Sequence, residues 1–169
     1  MLSKLTLEGH LNRMYGSVLC SKGEMQVYTD GSSVGNGTNA ARAGAGVFFG
    51  VGNRKNGSYR VPGPEQTNNR GEIYAVYRAL LSADPHKHLT IYTDSVYVIN
   101  MLTEWAPERA AGGWRVTNGD IFRAVVATIK SRPAPVVLRQ VKGHSGNAHN
   151  DAADELAKKG AWLQWSGTF

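Results

Sequence analysis

Five acidic side chains raise the chemical question in this sequence. Asp30 closes an alternating apolar–polar run that breaks into Gly, Ser and Asn, QVYTDGSSVGNG, residues 26–37. Asp94 closes a second run of the same form, HLTIYTD, residues 88–94. Glu72 falls in the first turn of an apolar-periodic segment, and Asp151 and Asp154 lie one turn apart in NDAADELA. Singly, each has an ordinary reading. Asp30 can open an Asx turn, Asp94 can precede a helix cap, and Glu72 can answer a helix dipole. Gathered at one point they mean something else, because adjacent carboxylates repel and are tolerated only with shared protons or a cation. An all-oxygen set selects hard cations, magnesium or manganese. Two such ions suit phosphodiester hydrolysis. The net charge of +6 favours a polyanionic partner, nucleic acid ahead of an acidic membrane surface.

The elements that would bring these acids together follow from periodicity. Residues 1–22 show no clear period and read as an N-terminal extension. Strand-like runs at Gly23–Asp30, Ala41–Phe49 and Gly57–Val61 have short turn-rich links, which implies antiparallel pairing. Asn68 or Asn69 can cap a helix carrying Ile73, Val76, Tyr77, Leu80 and Leu81, which Asp84-Pro85 stops. A strand at His88–Asp94 leads to Ser95, the cap of a second helix with Val96, Ile99 and Leu102. Trp105–Gly119 reads as irregular. A helix near Asp120–Lys130, a strand at Val136–Val141 and a helix at Asn147–Lys159 complete an order βββαβααβα. That order predicts an α/β domain in which helices cover a mixed sheet. With the Gly23–Asp30 and His88–Asp94 strands parallel, both Asp side chains emerge at one sheet edge, where α/β proteins bind ligands. Glu72 lies beside the apolar stripe of Val76, Ala79 and Leu80, and so points toward the sheet.

Other classes fit poorly. A chain of 169 residues suits one domain. The single Cys20 forms no internal disulfide and no cysteine zinc site. With no secretory pattern at the N-terminus, an intracellular, reducing compartment is expected: nucleus or cytoplasm, or the mitochondrion. No apolar run reaches the roughly 18 residues of a membrane helix. The glycines of Gly44-Ala-Gly46-Val-Phe-Phe-Gly50 have the wrong spacing for a dinucleotide loop, and the Asp30 loop lacks the alternating oxygens of a calcium loop.

Five segments in order, YTDGSSVGNG, TNNRGE, YTDS, VKGHSG and NDAADELA, resemble the type 1 ribonuclease H family over Met25–Ala161. The resemblance implies a ribonuclease H-like fold: a five-stranded mixed β-sheet, three antiparallel then parallel strands, flanked by helices, with a catalytic domain at 23–163. It implies endonucleolytic hydrolysis of the RNA strand of RNA–DNA hybrids, giving 5′-phosphate and 3′-hydroxyl ends, by a monomer with no membrane attachment. The implied cofactor is a pair of Mg2+ ions, with Mn2+ as a substitute, held by Asp30, Glu72, Asp94 and Asp154. Asp154 is chosen over Asp151 because Asn150 and the DELA ending match the family's pattern. Asp30 would bridge both ions, Asp154 would help hold the water-activating ion, and Glu72 and Asp94 the other. His144 resembles a loop histidine that assists proton transfer or product release. Asn36, Asn68 and Asn69 match groove-contacting positions, Thr67 and Asn118 a pocket for a DNA-strand phosphate, and Tyr97 and Trp105 aromatics along the DNA channel. Tyr97 and Trp105 serve equally well as core residues of an amphipathic helix.

Departures from the family pattern carry expectations of their own. Ala106–Arg115 holds only Arg109 and Arg115 where many members have a lysine-rich protrusion. Residues 1–22 are too short for a separate hybrid-binding domain. Gly71 before Glu72 is expected to loosen the helix start. The competing accounts are a catalytically silent nucleic-acid-binding module and a domain derived from a retroelement.

Overall fold

The computed structural model describes residues 23–35, 37–143 and 146–169. Its strands are β1 (Glu24–Val34), β2 (Arg42–Phe48), β3 (Gly57–Arg60), β4 (His88–Thr93) and β5 (Val136–Gln140). Its helices are α1 (Asn68–Ser82), α2 (Val96–Thr103), α3 (Ala106–Ala111), α4 (Gly119–Ser131) and α5 (Ala148–Ala161). The five strands form one sheet in the order β3-β2-β1-β4-β5. β1 pairs antiparallel with β2 and parallel with β4, and β4 pairs parallel with β5. The expected mixed sheet is therefore present, and its change from antiparallel to parallel falls on β1, the strand that carries Asp30.

Four local expectations need correction. β1 does not end at Asp30: Asp30 through Val34 pair with Gly46 through Arg42, so the Gly-Ser stretch is strand. Backbone pairing outweighs the weak strand preference of those residues. The cap of α1 is Thr67, whose Oγ1 accepts a hydrogen bond from the Arg70 N–H at 3.1 Å; Asn68 and Asn69 lie inside the helix. Within the segment read as irregular, Pro107 in the first turn and Ala-rich sequence support the short α3. Leu81 and Val96, assigned above to apolar stripes, are each 50 % exposed.

Small residues set how closely the layers approach. A Cβ on Gly44 would lie 2.1 Å from the Ala157 carbonyl oxygen, and one on Gly46 would lie 2.1 Å from that of Ala153. α5 thus rests directly on the backbone of β2. On the other face, Cβ atoms on Gly31 and Gly71 would lie 2.3 Å from the Glu72 nitrogen and 2.7 Å from the Gly44 carbonyl oxygen. Gly71 does not loosen the helix start; it lets α1 seat against β1 and β2 so that Glu72 reaches the sheet. Between the sheet and α1, α2 and α4 lies an apolar core including Val27, Ile73, Ile91, Leu102, Phe122 and Leu138, all fully buried. Gly46→Ala is expected to destabilise by about 3 kcal/mol, the upper range for overpacking against a rigid backbone. Urea unfolding reads this as a lower midpoint at unchanged slope. Among the described residues, no helix is long and apolar enough to cross a membrane.

Candidate active site

The parallel pairing of β1 with β4 runs to Tyr28↔Tyr92, two residues short of Asp30 and Asp94. The two tyrosine rings stack at 4.6 Å. Since strand side chains alternate, each tyrosine shares a face with the Asp two residues on. Asp30 lies opposite Gly46, so it faces α5, while Glu72 arrives from the α1 layer. The three acids meet where the strands part. Asp30, Glu72 and Asp94 each offer a carboxylate oxygen within 4.8 Å of the other two. Asp30 is only 5 % exposed; its Oδ1 accepts the Gly31 N–H at 2.9 Å.

Crowding and burial govern protonation here. Burial is the main cause that lifts Asp30 from its ordinary 3.8 to about 7; the Asp94 and Asp154 charges add to it, while hydrogen bonds from Glu72 and the Gly31 N–H oppose it. Glu72 is raised well above the usual carboxylate range, first by burial and then by the Asp30 and Asp94 charges. The hydrogen bond between the two opposes the rise of Asp30 and pushes Glu72 further up. The other Glu72 oxygen, Oε2, is buried with no hydrogen-bond partner. An all-oxygen donor set, two acids driven toward protonation and an orphaned buried oxygen fit a hard divalent cation.

Asp154 stands beside this cluster without joining it. Its charge is felt by Asp30, but it is not among the three acids within 4.8 Å. Its carboxylate instead binds Lys158 Nζ at 2.9 Å, one turn on. Asp151 is exposed in the first turn of α5, whose cap is Asn147. Gly143, in the VKGHSG segment, passes so close to Asp94 that a Cβ there would lie 2.6 Å from Oδ2. His144, Asn36 and residues 1–22 lie outside the described residues.

Most of the expected substrate residues meet in one place. Thr67, Asn68, Asn69, Tyr97 and Asn118, together with Thr117, line a polar cleft of about 570 Å³. Tyr97 has both of the roles weighed above: its ring meets Phe122 edge-on at 5.7 Å, while its hydroxyl accepts from Asn118 Nδ2 at 3.3 Å. Trp105 does not line the cleft; it is 37 % exposed just ahead of α3. Asn118 sits in a left-handed conformation at φ 63° and is buried. Arg70 holds it there, with Nη1 donating to Asn118 Oδ1 at 3.3 Å and both terminal nitrogens to Asp120 at 2.9 and 2.8 Å. Its Nε donates to the Pro62 carbonyl at 2.9 Å. Arg70 went unnoticed in the sequence because its partners lie about fifty residues away. Arg70→Lys is expected to cost about 2 kcal/mol of stability, since an ammonium cannot reproduce the fork. Chemical denaturation checks it, and loss of the Asn118 anchor should also weaken ligand binding in the cleft.

A profile of the RNase H family matches residues 22–162. The chain belongs to the RNase H family. Among curated relatives, this RNase H chain is 38 % identical over 141 residues to Ribonuclease H1 of Mus musculus, covering 80 % of this chain and 49 % of the relative. It is 40 % identical over 151 residues to Ribonuclease H of Schizosaccharomyces pombe, covering 86 % and 55 %. The chain spans about half the length of these relatives. Among solved structures it is similar to LC9-RNase H1, a type 1 RNase H with the type 2 active-site motif, at 29 % identity and TM-score 0.66, covering 86 % of this chain and 74 % of that one. Asp30, Glu72, Asp94 and the polar cleft all fall within the matched span.

Proposed function

We propose that this RNase H domain, taken as residues 23–163 and acting as a monomer, cleaves the RNA strand of RNA–DNA hybrids endonucleolytically, leaving 5′-phosphate and 3′-hydroxyl ends. The observation that carries this reading is the convergence of Asp30, Glu72 and Asp94 at the end of the β1–β4 pairing. The three acids, with Asp154 completing the set, would hold two Mg2+ ions, or Mn2+ in their place. When bound, such ions lower the pKa of water and neutralise charge on the phosphodiester.

The chain's own residues then bind and orient. Asp30, between Glu72 and Asp94, belongs to a carboxyl cluster driven toward protonation, ready to give up protons when a cation arrives. The Thr67, Asn118 and Tyr97 side chains offer hydroxyl and amide groups to a DNA-strand phosphate. Asn68 and Asn69, at the exposed start of α1, can donate to and accept from groove atoms, the requirement for sensing a 2′-hydroxyl. Gly143 leaves room for Asp94 and leads directly into His144, which we assign to proton transfer or product release at the leaving oxygen. Magnesium-dependent cleavage of an end-labelled RNA–DNA hybrid, against single-stranded RNA, duplex RNA and duplex DNA, tests the proposal. Hybrid-specific cuts are expected. Binding without cleavage would favour the silent binding module.

A further inference from the structure

The chain continues past α5 and folds back over the turn that leads into α1. Arg60 Nη1 donates to the Leu163 carbonyl at 3.0 Å, and Trp165 Nε1 to the Gly63 carbonyl at 3.1 Å. The Gly63 N–H donates to the Gly167 carbonyl at 2.6 Å, and Phe169 meets the Tyr74 and Tyr77 rings edge-on. This returning tail borders an open surface hollow of about 630 Å³ at the start of β2 and the end of β3. Residues 163–169 lie beyond the span matched to the family.

The chemistry of the hollow is specific. Arg42 and Arg60 both face it. Among the described residues neither forms an ion pair, and burial together with the Arg42 charge lowers the pKa of Arg60. Arg60 is fixed by Gln66 Oε1 at 2.9 Å as well as by Leu163. The Arg42 guanidinium lies 5.1 Å from the centre of the Trp162 ring, which is still 63 % exposed. Two neighbouring, uncompensated guanidiniums call for an anion, and Arg geometry favours phosphate. An indole backed by one cation and open to solvent is a platform for a flat ring. In a duplex both faces of each base are already stacked, so a single strand is what can offer a base to it. The hollow also continues the cleft surface. Pro64 borders it and a second recess containing Arg70 and Asn118, which in turn shares Thr117 and Asn118 with the cleft at Tyr97.

We propose that this hollow binds one nucleotide of a single strand, its phosphate between Arg42 and Arg60 and its base on Trp162. Its location relative to a hybrid rests on the proposed function; its affinity for a single strand does not. The site then serves a hybrid that ends in a single-stranded tail.

The test uses the full chain carrying Asp30→Asn, so that substrate survives, and fluorescence anisotropy with three probes. These are a ten-nucleotide deoxythymidine strand, a blunt hybrid, and the same hybrid tailed with deoxythymidine at either end. A tail should tighten binding about tenfold, within the range for one stacked base. Adding Arg42→Ala with Trp162→Ala should erase that gain and weaken single-strand binding about tenfold, while blunt-hybrid affinity stays within about twofold. Arg42→Ala alone, at an unchanged melting temperature, should show part of the same loss. Equal binding of blunt and tailed hybrids, equal weakening of both by the double variant, or a polyglutamate peptide bound as tightly as the single strand would each overturn the proposal. Cleavage of the blunt hybrid by the unsubstituted chain reports on the RNase H reading separately.

Discussion

Asp30→Asn is expected to abolish hybrid cleavage and, in the absence of divalent cations, to make the protein more stable. Both effects come from one feature. Asp30 is buried between two other acids, and its carboxyl ionises only near pH 7. At pH 8 the cation-free fold therefore bears the cost of holding a charge that the unfolded chain carries freely in water. An asparagine has the same shape, keeps an oxygen for the Gly31 N–H, and removes that charge. The expected gain is of the order of 2–4 kcal/mol, from roughly 1.4 kcal/mol per pKa unit. It also frees Glu72 to ionise against an amide instead of a carboxylate. Cleavage should fall by about 10³-fold or more, since even one group acting on developing charge is worth 10²–10³. Urea unfolding in chelator at pH 8 and initial rates with magnesium provide the two readouts. An Asp30→Asn variant that unfolds more readily than its parent, or retains a tenth of the rate, would contradict the assigned role.

The paired YTD segments made the approximate position of the site readable. Two strands with the same ending, joined by an antiparallel meander and a helix, can be parallel neighbours in a single sheet, and Asp30 and Asp94 then have to approach. How the third acid reaches them was not readable. Glu72 comes from the opposite layer, and it arrives because Gly31 and Gly71 remove the atoms that would keep α1 away. In one dimension such glycines look like loops or weak helix starts, since their purpose is set by the backbone on the far side. The same reason hid Gly44 and Gly46, whose partners on α5 lie over a hundred residues along the chain.

Polar networks were legible where neighbours in sequence made them and illegible elsewhere. Ser95 as a cap accepts a hydrogen bond from its own helix, from the Val98 N–H. Thr67 was harder, because Thr67, Asn68 and Asn69 are all good caps and only the chain's approach to the sheet decides which one turns first. Asp154 shows the opposite difficulty: its identity as an acid near Asp30 could be read, while its engagement by Lys158 follows from helix geometry. A cation entering the cluster has to compete with that ammonium for one of its four expected ligands.

The cation-free protein should lose stability as pH rises from about 4 to about 7, the reverse of the usual behaviour of salt-bridged carboxylates. Below its ordinary 3.8, Asp30 is protonated in both folded and unfolded chains and contributes nothing. Between 3.8 and about 7 the folded protein binds more protons than the unfolded chain, so stability falls with pH; above about 7 the whole penalty is present. Glu72, raised by burial and by its acidic neighbours, acts in the same direction. Asp120 acts oppositely: the Arg70 hydrogen bonds lower it, so its contribution is present at neutral pH and is lost only on acidification through the carboxylate range and below. Magnesium should cancel the first effect and leave the second. A cation that binds only the ionised, folded cluster adds about 2.7 kcal/mol at a hundred times its dissociation constant, and it binds more strongly as the competing protons leave. Urea midpoints at pH 4.5, 6 and 7.5 should therefore decline in chelator and hold level or rise with magnesium, and Asp30→Asn should flatten most of the chelator slope. A chelator series that rises through this window would mean that these acids are hydrated and apart, with no reason to gather a metal.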